Sequence, residues 1–241
     1  MTANAATDGA VIRVERLELD YVPQPWPFAD ARRQEIDAHF ADGQRKKPAL
    51  WNGRVLLLHR HRFEGLVFKG AFLETDFASF YAWRNWGFPA AGVVNCFAMA
   101  ALCGSDGGYL LGVMGAHTAS AGMVYFPAGT PEPEDIVGDK VDLTAGVMRE
   151  LTEETGLTSA DVTADAGWYS VLNGPRIAHM KILRAPEPAA QLRARIVEHL
   201  AGDPEPELSD IMVVREPADL DARVPPFVTA FLLHVWKGEA R

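Results

Sequence analysis

The chain has 241 residues, of which 48% are hydrophobic and 23% are charged, a balance typical of a globular protein with a substantial core. Its formal net charge of -9 argues against binding to a nucleic-acid backbone, because an acidic surface does not attract polyphosphate. A phosphate-bearing partner is therefore expected to be a small molecule, held by a metal ion and a few local cations.

Along the first ninety residues the sequence has the patterns of strands and helices. Alternating apolar and polar residues predict a strand over residues 11–19, and Trp51-Asn52-Gly53 is a turn signal before two further alternating runs. The other elements predicted here are a helix over 30–40 that Gly43 ends, strands over 54–61 and 63–74, and a helix capped by Thr75 that runs to Trp86.

Two histidines of the strand predicted over 54–61, His59 and His61, share a face at the i, i+2 spacing of a metal pair. No third ligand lies nearby in the sequence, which favours a structural role for both.

The remainder of the chain alternates between strand and helix patterns. The predicted elements are strands over 92–103 and 109–114, a helix over 143–155, strands over 162–172 and 177–183, a helix over 189–200, a strand over 211–214 and a helix over 225–236. Strands on both sides of a central helix predict an α/β fold in which a mixed sheet lies between helices.

The two cysteines and the start of the chain bear on the compartment. Cys96 and Cys103 lie in one apolar run, which favours two small buried side chains over a disulfide or a metal pair. Residues 1–10 lack a basic start followed by an apolar core, and no apolar stretch of 18 residues occurs. These features predict a cytoplasmic protein without a membrane partner.

Carboxylates are concentrated on the helix predicted over residues 143–155. Glu150, Glu153 and Glu154 have i, i+3 and i+4 spacing, so they project from one side of the helix. Stacked acids repel each other unless a cation compensates, and oxygen ligands of this kind suit Mg2+ or Mn2+. Arg149, four residues before Glu153, offsets part of the repulsion. The alternative is a solvated acidic face, which is the ordinary role of a charge run.

The run from Arg149 to Leu157 resembles the second half of the Nudix box, G-x5-E-x7-R-E-U-x-E-E-x-G-U with U an apolar residue, and matches that half at every specified position. The preceding Phe126-Pro127-Ala128-Gly129 is typical of a strand that enters the box loop. The chain departs from the pattern because Arg149 follows Gly129 by 20 positions, six more than in the box. Counted back from Arg149, the place of the first glutamate is taken by Val141. The substitutes considered are Asp142, Asp139 and Glu134.

The Nudix resemblance implies an α/β/α sandwich with a mixed sheet over residues 91–241, preceded by an N-terminal α+β extension over 1–90. It implies hydrolysis of a nucleoside diphosphate linked to a group X, by attack of water on the pyrophosphate. By the same resemblance, Mg2+ or Mn2+ is held directly by Glu150 and Glu154 and directly or through water by Glu153. The Ala128 or Gly129 carbonyl is a further metal ligand, and Arg149 orients the site.

The Nudix box does not determine the general base. Glu205 and Glu207 lie in a proline-containing loop where some relatives supply an acid, with ordinary surface carboxylates as the alternative. His117 is near the box in sequence and is a candidate for contact with a phosphate, with a structural or exposed histidine as the alternative.

The substrate is indicated only by short motifs. Those similar to the eukaryotic Nudix branch acting on UDP-glucose and UDP-galactose are Trp51-Asn52-Gly53, Leu73-Glu74-Thr75-Asp76-Phe77, Arg84-Asn85-Trp86 and Gly129-Thr130-Pro131-Glu132-Pro133. They favour a nucleotide sugar over CoA, a dinucleotide or ADP-ribose. A Nudix-fold effector-binding module is the alternative without hydrolysis, and the complete set of acids after Arg149 favours the hydrolase.

Two expectations concern regions outside the box motif. Residues 130–141, which contain the extra positions, are expected to form a mobile loop outside the core. The N-terminal extension is expected to supply a wall for the substrate, with Trp83, Asn85 and Trp86 as candidates and packing as the alternative for each tryptophan. The oligomeric state is left open by the sequence.

Overall fold

The computed structural model describes residues 9–239, which form two β-sheets with helices packed against them. The helices are α1 Pro27–Ala31, α2 Arg33–Lys46, α3 Phe77–Asn85, α4 Leu143–Thr155, α5 Ala189–Gly202 and α6 Pro226–Glu239. The strands are β1 Val11–Val14, β2 Arg16–Tyr21, β3 Arg54–Glu64, β4 Val67–Asp76, β5 Asn95–Cys103, β6 Tyr109–Met114, β7 Val124–Tyr125, β8 Ile136–Val137, β9 Lys140–Val141, β10 Thr163–Ala164, β11 Trp168–Asn173, β12 Arg176–Arg184 and β13 Leu208–Val214.

The larger sheet, sheet A, has the strand order β1-β11-β12-β5-β6-β13, with β10 beside β12 and β7 beside β6. Strands β12 and β5 are parallel over nine residue pairs, whereas the other pairings are antiparallel. The predicted mixed sheet is therefore confirmed.

Strand β5 shows how sheet A is covered on both faces. Because side chains alternate along a strand, Cys96 and Leu102 pack with α4 and α5, while Phe97 and Cys103 pack with α6. The sheet lies between two layers of helices, so the predicted α/β/α sandwich is confirmed. Both cysteines are buried, neither is part of a disulfide in the described structure, and they lie on opposite faces of the sheet.

The smaller sheet, sheet B, has the strand order β3-β4-β2-β9-β8. One face, which includes Leu56 and Phe72, packs into the core shared with α4 and α5. The other face, which includes Leu57 and Leu73, is covered by α1, α2 and α3. Sheet B therefore joins the helices of the N-terminal part to the central core.

The first predicted strand is divided between the two sheets. Strand β1 pairs with β11 in sheet A, and β2 pairs with β4 in sheet B. Residues from both sides of position 90 thus contribute to each sheet, and the division into parts 1–90 and 91–241 stays a prediction about domain organisation.

The expectation that residues 130–141 lie outside the core is wrong. This segment contains a short 3-10 turn over Pro133–Asp135 and the β8–β9 hairpin, whose turn includes Gly138 at φ 67. Strand β9 pairs with β2 through Lys140 and Asp20, and Val141 is buried in the core. Strands of two residues have no periodicity of their own, so their pairing with a distant strand was not visible in the sequence.

Gly43 does not end α2, which continues to Lys46. A Cβ atom at Gly43 would lie 3.0 Å from the Tyr81 hydroxyl oxygen, so the glycine allows α2 and α3 to approach closely. The cap of α3 is also one residue later than predicted, because the Asp76 side chain accepts from the Ser79 N–H at 2.8 Å. In the part of the chain that the structure describes, no helix is long and apolar enough to cross a membrane.

Candidate functional site

Helix α4 begins and ends as its sequence predicts. The Asp142 carboxylate accepts from the backbone N–H groups of Thr144 and Ala145 at 2.9 and 3.1 Å, which satisfies two free donors of the first turn. Gly156 has φ 71 and ends the helix in the left-handed conformation that glycine adopts without strain. The predicted helix over 143–155 is confirmed.

The apolar stripe of α4 positions its acids. Val147 and Leu151 are buried in the core beneath sheet A, which places one side of the helix against the protein. Glu154 is carried inward with that stripe and is only 4% exposed, whereas Glu153 points outward with its side chain 60% exposed. The glutamates of α4, although close together in the sequence, therefore have different environments.

Glu154 is a buried carboxyl with one oxygen unpaired. The Ala128 N–H donates to its Oε1 at 3.3 Å, and its Oε2 is buried without a hydrogen-bond partner among residues 9–239. Burial raises the pKa of Glu154 well above its ordinary value, and the charges of Glu150 and Glu207 raise it further. An unpaired buried oxygen of this kind is costly unless something binds it.

Glu150 lies between Arg149 and the loop before the helix. Arg149 donates from Nη1 to Glu150 Oε1 at 2.8 Å. Burial raises the pKa of Glu150 to about 7; Arg149 opposes this shift, and Glu153 and Glu207 add to it. A Cβ atom at Gly129 would lie 2.2 Å from the same Oε1, so a side chain at that point of the loop would displace the Glu150 carboxylate.

Arg149 also binds an acid from outside the helix. Its Nη2 donates to Asp135 Oδ1 at 3.2 Å, and its Nη1 lies 3.6 Å from Glu153 Oε2. Asp135 is 4% exposed, and its Oδ2 accepts from the Glu132 N–H at 3.0 Å. Arg149 is thus held by Asp135 through Nη2 and holds Glu150 through Nη1.

Asp135 was missed by the sequence analysis, although a signal for it was present. Counted forward from Gly129, the sixth position is Asp135, which is the place of the first glutamate of the box. The six extra residues therefore lie after this acid, where the structure has the β8–β9 hairpin. The three substitutes have other places: Asp142 caps α4, and Asp139 and Glu134 are exposed.

Glu150 and Glu153 of α4 line a cleft of about 530 Å³. Of the residues predicted for the site, the cleft is lined by Ala128, Gly129, Arg149, Glu150, Glu153, Glu207 and His117. Glu154 does not line this cleft; its hydrogen bond to Ala128 N–H places it against the cleft wall. His117 is exposed at the rim.

The two candidate bases from the proline-containing loop have different positions. Glu207 lines the cleft, and its charge raises the pKa of both Glu150 and Glu154. Its main-chain oxygen accepts from the Gly115 N–H at 2.8 Å, which anchors this part of the loop. Glu205 is exposed and does not line the cleft; its N–H donates to Asp203 Oδ1 at 3.0 Å.

Residues before position 91 form part of the cleft wall, namely Ala49, Leu50, Trp51, Val55, Phe77, Phe80 and Arg84. Trp51 is 81% exposed, so its indole ring is open to a ligand. The tryptophans named from the sequence are packed instead: Trp83 is buried and donates to the Pro89 carbonyl at 2.8 Å, and Trp86 stacks against Arg32.

Among residues 9–239, the His59–His61 pair has no third ligand that completes a metal site. His59 Nε2 is buried without a partner among the described residues, and His61 stacks on Phe68 at a centroid distance of 5.9 Å. Throughout residues 9–239, no three histidine, cysteine, aspartate or glutamate side chains are gathered closely enough to hold a metal ion as they stand.

The acids of the cleft nevertheless fit a divalent cation in their chemistry. The donors are carboxylate oxygens, which hard cations prefer, and one of them, Glu154 Oε2, is buried and unpaired. Gly129 keeps the space beside Glu150 free of a side chain. Fold and site together define an α/β/α protein with an acid-rich cleft beside its central helix.

Comparison with protein-family models finds no match for the chain, and comparison with curated proteins finds none. A solved Nudix hydrolase from M. smegmatis, RenU, is similar at 16% identity and a TM-score of 0.40, over 60% of this chain and 84% of that one. The MutT protein from Methanosarcina mazei Go1 is similar at 16% identity and a TM-score of 0.39, over 61% of this chain and 96% of that one.

A third similar structure is a bifunctional NMN adenylyltransferase/ADP-ribose pyrophosphatase from Francisella tularensis, solved with AMP and a manganese ion. It is 15% identical with a TM-score of 0.41, and the match covers 66% of this chain and 45% of that one. All three TM-scores are below 0.5, so the function of this chain has to be inferred from its own residues.

Proposed function

We propose that this chain is a metal-dependent Nudix-type pyrophosphohydrolase that cleaves the diphosphate of a nucleoside diphosphate linked to another group X. The observation that carries the proposal is the cluster of Glu150, Glu154 and Glu207. Burial and the charges of Glu153 and Glu207 raise the pKa of Glu150, and burial and the charges of Glu150 and Glu207 raise that of Glu154. Arg149 is the cation that contacts Glu150. Such a cluster is stabilised at neutral pH by a divalent cation.

The residues that would hold Mg2+ or Mn2+ are Glu150 and Glu154, with Glu153 direct or through water and a main-chain oxygen of Ala128 or Gly129. When bound, the ion neutralises the diphosphate and lowers the pKa of a water molecule. The unpaired Oε2 of Glu154 and the space left by Gly129 support this donor set.

Arg149 and Asp135 position the Glu150 carboxylate. Arg149 binds Oε1 of Glu150 at 2.8 Å, and Asp135 holds the same guanidinium at 3.2 Å from the opposite side. A guanidinium held by two acids has little rotational freedom, so the direction of the Glu150 carboxylate is set before a substrate arrives.

Glu207 is the proposed general base. It lines the cleft with the acids of α4, and it has no ion-pair partner within 4.0 Å in the described part of the chain. It can therefore accept a proton from water without first losing a salt bridge. Glu205 has weaker support for this role because it does not line the cleft.

For the X group we propose a sugar, on the strength of the short motifs named in the sequence analysis; CoA, a dinucleotide and ADP-ribose are the competing groups. The exposed Trp51 at the cleft wall offers a ring against which a base or a sugar can stack. Residues 1–90 would then be an extension that shapes the substrate site of a hydrolase domain at 91–241.

The test is a panel of nucleoside diphosphate sugars, CoA, NADH, ADP-ribose and diadenosine polyphosphates, assayed with Mg2+ by phosphate release after phosphatase coupling. Hydrolysis should stop in EDTA, and Glu150→Gln and Glu154→Gln should each lower kcat/KM by about 100-fold or more. Glu198→Gln, on the exposed side of α5, is the matched control and should behave as the wild type.

Circular dichroism of each variant separates loss of activity from loss of fold. If the folded wild-type protein binds Mg2+ yet hydrolyses no compound of the panel, the hydrolase proposal fails and a binding module takes its place. A clear preference for CoA or dinucleotides would show that X is not a sugar, while the proposed cleavage of the diphosphate would stand.

A further inference from the structure

Next to the acid-rich cleft the structure has a second cavity of about 470 Å³, which we call the arginine pocket. The two adjoin, because Ala128, Gly129 and Thr130 line both. Its other walls come from α3, from strands β5 and β12 and from the start of α6. A molecule with its diphosphate at α4 would thus extend into this pocket.

Two arginines line the arginine pocket, and in the described part of the chain neither forms an ion pair with an acid. Arg84 is near the end of α3, and Arg176 is the first residue of β12. Among residues 9–239, neither guanidinium has a carboxylate within the 4.0 Å of an ion pair. Their contacts are aromatic instead: Arg84 lies 5.8 Å from the Phe80 ring centroid, and Arg176 lies 4.3 Å from that of Phe88.

This arrangement costs free energy in the absence of a ligand. Burial lowers the pKa of both guanidinium groups, and the charge of Arg84 lowers that of Arg176 further, so the two cations repel each other. The whole chain carries a net charge of -9, and the third arginine that lines the two cavities in the described structure, Arg149, is paired with acids. An anion between the two guanidinium groups would relieve this repulsion.

The other walls of the arginine pocket suit an organic group that carries such an anion. Phe97, Met99 and Phe227 supply apolar surface. Asn95 is 8% exposed, and its Oδ1 is buried without a partner in the described structure, so it is free to accept from a hydroxyl or an amine. Apolar walls with a few convergent polar groups are typical of small-molecule sites.

We propose that the arginine pocket binds a phosphate or carboxylate group that the substrate carries in addition to the diphosphate that is cleaved. This inference rests on the proposed hydrolase function and narrows its substrate class. Arg176 is the discriminating residue, because it lines the arginine pocket and not the cleft, whereas Arg84 lines both. The additional anion can belong to the nucleoside or to X.

The experiment compares substrates in pairs that differ by one anionic group: UDP-glucuronate with UDP-glucose, CoA with dephospho-CoA, and NADPH with NADH. In at least one pair the more anionic member should have a kcat/KM about 10-fold higher or more, as expected for a charge-assisted contact to a guanidinium. Arg176→Gln should bring the ratio within that pair close to one, and Arg176→Lys should keep part of it.

The matched control is Arg13→Gln. Arg13 also lies over an aromatic ring, at 5.2 Å from the Tyr169 centroid, but it does not line either cavity. The ratio of kcat/KM within each substrate pair should therefore be the same for Arg13→Gln and the wild type. Equal kcat/KM within all three pairs would overturn the proposal. The proposal would also be overturned if Arg176→Gln lowered kcat/KM equally for both members of a pair. That result would show that Arg176 contacts the diphosphate that both members share.

Binding without turnover separates this proposal from the hydrolase function. Isothermal titration calorimetry in EDTA with the same pairs measures the affinity of the arginine pocket for each compound, even if no compound is hydrolysed. Tighter binding of the more anionic member, cancelled by Arg176→Gln in a folded protein, supports the pocket. Equal affinity of both members in every pair overturns it.

Discussion

Asp135 Oδ1 lies 3.2 Å from Arg149 Nη2, and this partly buried contact links the two halves of the motif across the inserted hairpin. The aspartate ends a 3-10 turn that begins at Pro133, and the arginine is in the middle of α4. Through Arg149 the contact reaches Glu150, so the inserted β8–β9 hairpin separates the two residues in sequence without separating them in space.

Asp135→Asn should lower both activity and stability. The amide can still accept from Arg149 but loses the charge of the pair, and Arg149 is 30% exposed and keeps its contact with Glu150, so the expected loss in the free energy of unfolding is about 1–3 kcal/mol. We expect kcat to fall by about 10-fold or more with a smaller change in KM, because Asp135 acts through Arg149 and does not touch substrate. Asp139→Asn, an exposed acid of the same insert, is the control and should change neither kcat nor Tm by more than the error of measurement.

Gly129→Ala should remove activity while the fold is kept. The added Cβ would lie 2.2 Å from Glu150 Oε1, so the carboxylate has to turn away from its place beside Arg149. The expected loss in kcat/KM is about 100-fold, in the range found when one group of an electrostatic site is displaced. Gly202→Ala is the control because no atom lies within 4 Å of its Cβ position. Full activity of Gly129→Ala would show that the position of Glu150 is not critical.

The inserted hairpin should contribute to stability through Val141. Val141→Ala removes two methyl groups from the core and should reduce the free energy of unfolding by about 1–3 kcal/mol. Val137→Ala, in the same hairpin but 65% exposed, should change it by less than about 0.5 kcal/mol. Urea unfolding of both variants measures the difference. If both variants lowered the free energy of unfolding equally, the hairpin would contribute no more to the core than a surface loop does.

Glu154 should make the metal-free protein less stable as pH rises. Its pKa is raised in the folded state, so the folded protein binds the proton more tightly than the unfolded chain, and stability is lost as pH rises from about 4.5 through the folded pKa. In EDTA, Glu154→Gln should therefore have a higher Tm than the wild type at pH 8, and the difference should shrink towards pH 5. Addition of Mg2+ should stabilise the wild type more than the variant.

His179 should make the protein acid-sensitive by an independent route. It is fully buried, its Nδ1 lies 2.9 Å from Ser170 Oγ, and burial lowers its pKa to about 3. The unfolded chain binds a proton near pH 6.5 and the folded protein does not, so stability is lost as pH falls from about 6.5 towards 3. His179→Asn should flatten this slope in Tm between pH 7 and 5, whereas the exposed His199→Asn should leave it unchanged. An identical slope in both variants would show that other groups dominate.

Several elements were predictable because their signals are local. Helix α4 has its cap, its apolar stripe, its acids and its terminal glycine within fifteen consecutive residues, and each acts through contacts of one helical turn. The same holds for β6, found at Tyr109–Met114 as predicted. The order of these elements also implied the sheet between helices, since an apolar strand buried on both faces needs a layer on each side.

The remaining features were decided by the tertiary structure. Asp135 can be found in the sequence by its spacing from Gly129, but its contact with Arg149 depends on the β8–β9 hairpin, which Lys140 joins to β2 through Asp20. Arg84 and Arg176 are 92 positions apart in the sequence, and neither has a local pattern that points to the other. The sequence by itself determined which acids and which arginine helix α4 carries. The packing of the two sheets decided which distant charged residues face that helix, because contacts between elements depend on strand register and layer order.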